Sequence, residues 1–281
     1  MRRLIKIIFI CLSGCGVNQF AQFEKKNVAL QATKYLEREQ PDKAIELITN
    51  SLGSAYASIF ASAASITNVS TLETSLTTEL NNLVAQGRSD APNLVSILAS
   101  AQAQLYGADP FSIALTLATG GGESESSSSS TSSDSSSSAG GIDTLTTLFP
   151  VLPESTTGNI HGLEIAIALL NSLGSHQTSA DLYKKAIFLT ANIALITKGL
   201  TDSSGKISRL AVINMSTTTA ANLLLLIASA TLTAGAAQQN NGNAGSSTKA
   251  ISNIQTKIDE QEGDDQNTKL RNYLVSKTSG S

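Results

Sequence analysis

Tryptophan is absent from the 281 residues, and histidine and cysteine occur only twice each. The histidines, His161 and His176, stand at a spacing that matches no metal or acid–base motif, so each reads as a loop or helix-start residue. Zinc would have to be held by carboxylates in no recognisable pattern, and no cofactor is expected. Positive charge is scarce too, with 19 Lys and Arg against 22 Asp and Glu and no basic patch, which argues against nucleic-acid binding. Charged residues make up 15% of the chain, where soluble domains carry roughly 25%. Aromatics are 4% and prolines number five. Ser, Thr, Asn and Gln fill the deficit beside abundant Ala and Leu, a composition that favours closely packed helices.

The N-terminus carries the most specific pattern. Arg2, Arg3 and Lys6 precede an apolar run from Ile7 to Leu12, the layout of an export signal. The run is too short for a membrane span, which needs about 20 apolar residues. It ends in Leu12, Ser13, Gly14 and Cys15, which resemble the lipobox of bacterial lipoproteins. The resemblance implies cleavage before Cys15 and a diacylglyceryl group on its thiol, with 1–14 as signal peptide and 15–26 as lipidated tether. Several acyl chains together anchor stably, at roughly 0.8 kcal/mol per buried methylene. Gly16, in place of Asp, resembles lipoproteins passed to the outer membrane. Cys11 would leave with the signal and the lipid would occupy Cys15, so the mature chain would have neither a disulfide nor a free thiolate. Loss of Arg2, Arg3 and Lys6 would leave 16 basic against 22 acidic residues, a net charge near −6.

The segment 27–52 reads as two helices broken at Pro41 and Asp42, the first burying Leu30, Tyr35 and Leu36, the second Ala44, Ile45, Leu47, Ile48 and Leu52. Ala32, Tyr35 and Ala44, with Ile48 where a bulky residue belongs, resemble a tetratricopeptide-type hairpin. Glu39 stands where that repeat has glycine, and Ser51 where it prefers alanine. Signal and hairpin together are loosely similar to the T component of tripartite ATP-independent periplasmic transporters, which implies a transporter-accessory role.

Further on, Tyr56, Ile59, Phe60 and Ala63 make one helical face and Leu72, Leu76, Leu80 and Leu83 another, with Gly87 as a stop. Leu94, Ile97, Leu98 and Leu105 should point inward, and a helix should start at Pro110. Residues 120–141 hold no apolar side chain larger than Ala139 and read as a disordered linker or exposed loop between helical blocks 27–119 and 142–237. The second block restarts at Ile142, with Pro150 and Pro153 closing its first stretch. Helices are expected over His161–Leu173, Ser179–Leu200 and Lys206–Gly235. In the second of these Asp181 sits near the start, with Tyr183, Ala186, Ile187, Ala194 and Leu195 inward. The third is expected to be buried on most sides, because the threonines and Asn222 interrupt its apolar run. A flexible loop over 238–251 and a terminal amphipathic segment over 252–281 complete the chain.

Gly199–Ile207 only superficially resembles a phosphate loop: five residues separate its glycines, and Ile207 stands where a magnesium-binding hydroxyl belongs. It reads as a helix-to-helix turn. Glu37, Glu39 and Glu46 read as a solvated helix face. The expectation is therefore an all-α protein, an irregular helical bundle or tetratricopeptide-like α-solenoid with a disordered serine-rich insertion. Its expected role is non-enzymatic: a lipid-anchored scaffold binding an envelope protein, or alternatively a periplasmic carrier for a small apolar ligand.

Overall fold

The computed structural model describes residues 27–66, 68–119, 145–241, 246–276 and 278. Leu12, Ser13, Gly14, Cys15 and the tract 120–141 lie outside the described residues. The fold is all-α. Its helices are α1 (Val28–Glu37), α2 (Pro41–Leu52), α3 (Ser54–Ser62), α4 (Val69–Ala85), α5 (Ala91–Leu105) and α6 (Pro110–Thr119) before the tract. After it come α7 (Thr157–Ser172), α8 (Ser179–Lys198), α9 (Arg209–Ile213), α10 (Thr217–Asn241), α11 (Ser246–Asp259) and α12 (Gln266–Ser276).

Local chemistry sets these boundaries. Asn27 and Asn68 accept hydrogen bonds from the first turns of α1 and α4. Pro41 and Pro110 occupy first helical positions, where a missing N–H costs nothing. Thr178 and Asp181 form a reciprocal capping box at the start of α8. Gly87 stops α4 at φ +88°, a conformation that glycine enters without a side-chain clash.

The helices pack as an irregular bundle. α5 lies against α1, α2 and α7, and α7 also meets α4 and α8. α8 in turn packs along α10 and touches α6, while α10 carries α11 and α12. One apolar cluster runs through all of these, so the helical blocks on either side of the tract share a core. Within the second block, Lys198 ties α8 to the segment that precedes α7: its Nζ donates to the carbonyls of Phe149, Leu152 and Pro153 at 3.2, 3.0 and 3.1 Å.

Most expected inward residues are buried, including Leu72, Leu76, Leu80 and Leu83 of α4 and Leu94 and Leu98 of α5. Leu30 and Leu105 are not; each is 41% exposed, because Ala32, Ala101 and Ala103 take the core-facing positions and allow close helix approach. Ile45, Leu47 and Tyr183 are only partly buried against the core. The helix expected over Lys206–Gly235 is broken into α9 and α10. Ser216 Oγ accepts from Thr219 N to start α10, and Arg271 of α12 donates to the carbonyls of Ile213 and Met215 beside the break. Residues 238–241 and 246–251, expected as loop, are helical.

α10 also departs from the expected burial on most sides. Ala220, Leu223, Ile227, Ala230 and Ala234 are buried, but Leu225 and Leu232 on the opposite face are 67% and 75% exposed. Thr217–Asn240 has the length and apolarity of a membrane span, with 39% of its most apolar window buried. A one-sided helix makes a sharp contrast between substitutions. Leu223→Ala should cost about 2–5 kcal/mol in urea unfolding, whereas Leu225→Gln and Leu232→Gln should each stay within about 0.5 kcal/mol.

Candidate functional site: a groove beside the first hairpin

α1 ends in a tight turn. Glu39 N bonds to the Leu36 carbonyl at 3.0 Å and Gln40 N to that of Tyr35 at 2.9 Å. Glu39 takes φ +55°, the left-handed conformation, where the resembling repeat carries glycine. That costs a non-glycine residue about 1–2 kcal/mol. α5 is tied to this turn, since Gln104 Nε2 donates to the Leu36 carbonyl at 3.2 Å. Gln104 Oε1 finds no partner. After α5 the chain reverses through Gly107 at φ +77°. Asp109 Oδ2 then caps α6 by accepting from Ser112 N at 2.9 Å and Ser112 Oγ at 2.6 Å.

These turns enclose an open groove of about 740 Å³. Leu36, Pro41 and Pro110 give it apolar walls, and Phe111 stands at its edge, 74% exposed. Its charged lining is entirely acidic: Glu37, Glu39 and Asp109. Glu37 and Glu39 are exposed, as expected of a solvated face, but they border the groove as well. Three of the four hairpin residues, Ala32, Ala44 and Ile48, have 0% exposure. Tyr35 is partly buried against the core, with Lys43 Nζ 5.9 Å from its ring centre. They therefore hold α1 against α2 without lining the groove.

A second constellation lies inside the bundle. Ser96 of α5 donates its hydroxyl to Asp181 Oδ1 of α8, and Lys184 Nζ donates to Ser96 Oγ at 2.8 Å and to its carbonyl at 3.0 Å. Burial pushes the Lys184 ammonium below its usual value, with Asp181 opposing. For Asp181 burial acts upward, but hydrogen bonds from Ser96 and Thr178 and the charge of Lys184 outweigh it and hold the carboxyl low. A serine beside a lysine of depressed basicity has the parts of an acyl-transfer pair. Here, however, Ser96 is 7% exposed, its proton is engaged by Asp181, and it does not line the groove. The arrangement acts as a polar cross-link between α5 and α8. The sequence offered one trace of it, an acid and a base one helical turn apart at Asp181 and Lys184.

His161 and His176 are not brought into a shared cluster of carboxylates. His161 Nε2 lies 3.1 Å from the Ala63 carbonyl and Nδ1 3.4 Å from Glu164, and His176 belongs to the short turn Gly174–His176 after α7. Among the described residues no group of His, Cys, Asp and Glu could hold a metal ion. Gly199–Ile207 forms a turn, closed by an isolated bridge between Thr201 and Ile207. No protein-family model, curated protein or solved structure matches the chain.

Proposed function

We propose that this chain is a non-enzymatic protein-binding or scaffold module of the cell envelope, anchored to the outer membrane by lipid on Cys15 and facing the periplasm. The groove carries this reading. An open cleft with apolar walls and a large exposed aromatic at its edge gives a partner's side chains somewhere to bury, and aromatic anchors dominate binding energy at such surfaces. The groove lies between helices fixed by backbone hydrogen bonds and a shared core, so it is formed before a partner arrives, which lowers the ordering cost of binding. The lipobox-like segment supports the location. Affinity capture of the membrane-extracted full chain, compared with Phe111→Asp, tests the reading. A stoichiometric protein recovered with the wild type and lost with the variant supports it; equal recovery removes the groove from the account.

The groove volume also falls in the roughly 300–1,000 Å³ range of small-molecule sites, which keeps a second reading, a carrier for a small apolar ligand. Mass spectrometry of the purified full chain separates the two. A co-purifying lipid or metabolite displaced by Phe111→Asp, with no protein partner, would favour the carrier.

A further inference from the structure

Four features of the groove bear on what it would take. Its charged lining is of one sign, from Glu37, Glu39 and Asp109. Lys34 and Arg38, on or beside the same helix, do not line it. Leu36, Pro41 and Phe111 add apolar surface to the same lining. Gln104 lines the groove too, and its Oε1 lacks a hydrogen-bond donor.

Resting on the protein-binding reading above, we propose that the groove takes an extended, basic and apolar peptide segment of a partner protein, with arginine or lysine against Glu37 and Glu39 and a bulky apolar side chain against Phe111. Charge complementarity selects this occupant. An acidic segment would meet three like charges, and like-charge juxtaposition is an effective means of rejecting wrong partners. A neutral apolar ligand would cover Glu37 and Glu39 without pairing them, which is costly. Arginine is the better match of the two cations, since its planar fork can satisfy a carboxylate with two parallel hydrogen bonds. Opposite charge at the rim also speeds encounter, so binding should weaken as salt rises.

Fluorescence anisotropy on the full chain tests this with three labelled synthetic peptides of equal length. One alternates arginine with leucine and phenylalanine, the second replaces arginine with glutamate, and the third replaces the apolar residues with serine. The protein is used as wild type, as Glu37→Gln with Glu39→Gln, and as Phe111→Ala. These side chains are exposed, so each variant should keep its fold, and circular dichroism checks that it does. The arginine peptide should bind at least tenfold more tightly than either control. Its affinity should fall about tenfold in the double glutamine variant at low salt, and by a similar factor in Phe111→Ala. Equal binding of the arginine and glutamate peptides, or no change in the double glutamine variant, would overturn the proposal. If the arginine peptide fails while Phe111→Asp still abolishes capture of a cellular partner, the groove remains a docking site and the basic-segment assignment falls. If both fail, the protein-binding reading falls with it.

Discussion

Asp181→Ala is expected to destabilise the protein by about 2–4 kcal/mol, the cost of losing a helix cap and hydrogen bonds to a buried carboxylate. The loss has three sources. Asp181 accepts the Ser96 hydroxyl across the α5–α8 contact, it accepts from Thr178 N at 2.9 Å and Thr178 Oγ1 at 2.7 Å in the capping box, and its charge attracts that of Lys184, whose ammonium is already pushed down by burial. Lys184→Met should cost less in the Asp181→Ala background than in the wild type, because the nearby carboxylate that attracts the cation is gone, and that coupling measures the interaction of the two charges. The pH dependence has a definite sign. The folded Asp181 carboxyl is held below its ordinary value, so its contribution is complete above the usual carboxylate range and is lost as pH falls through the folded value. For Lys184, depressed in the fold, the unfolded chain binds the proton more tightly, so its unfavourable contribution shrinks as pH rises towards the ordinary lysine value. Urea unfolding across pH should therefore show a flatter acid limb for Asp181→Ala than for wild type. An unchanged acid limb would place the acid sensitivity elsewhere.

Gly162→Ala should be the most damaging single-methyl addition among the described glycines. A Cβ there would lie 2.1 Å from Tyr106 Cγ and 2.4 and 2.6 Å from its Cδ atoms, so the ring must move. Overpacking of this kind costs about 1–3 kcal/mol, occasionally more, against a gain of about 1 kcal/mol from replacing a mid-helix glycine with alanine. Tyr106 closes α5, one residue before the groove-lining Gly107. The substitution should therefore weaken groove binding as well as stability. In a Tyr106→Ala background, Gly162→Ala should become neutral or stabilising by thermal unfolding, because the atoms it meets are gone. A cost that persists there would mean that the glycine is needed for something other than the ring's approach.

Both expectations depend on contacts that the sequence only partly discloses. The leucine face of α4 and the alternation of Leu94 and Leu98 in α5 were legible because large apolar side chains at spacings of three and four mark one helix face. Leu30 and Leu105 were misplaced because alanines, which weigh little in an apolar pattern, hold the tightly packed seam at Ala32, Ala101 and Ala103. The break before α10 was invisible to periodicity. It rests on Ser216 capping a new helix and on Arg271, far along the chain, taking the carbonyls of Ile213 and Met215. The groove left only fragments in the sequence. Pro110 marks a helix start, and Glu37 and Glu39 read as an exposed acidic face. They meet Phe111 through the packing of α1 and α2 on α5 and the Gln104–Leu36 hydrogen bond between residues 68 positions apart, and no local pattern encodes that. The Ser96–Asp181–Lys184 cross-link was hidden for the same reason, with its members on helices 85 positions apart.

Partner proteins held in the groove beside the first hairpin should be captured there. A photo-crosslinking amino acid placed at position 111, and separately at the similarly exposed position 225 on α10, tests this in living cells. Groove binding should give a discrete crosslinked protein from position 111 that disappears when Glu37 and Glu39 are changed to glutamine, and none from position 225. Crosslinking from position 225 alone would contradict it and move the binding surface to the uncharged face of α10.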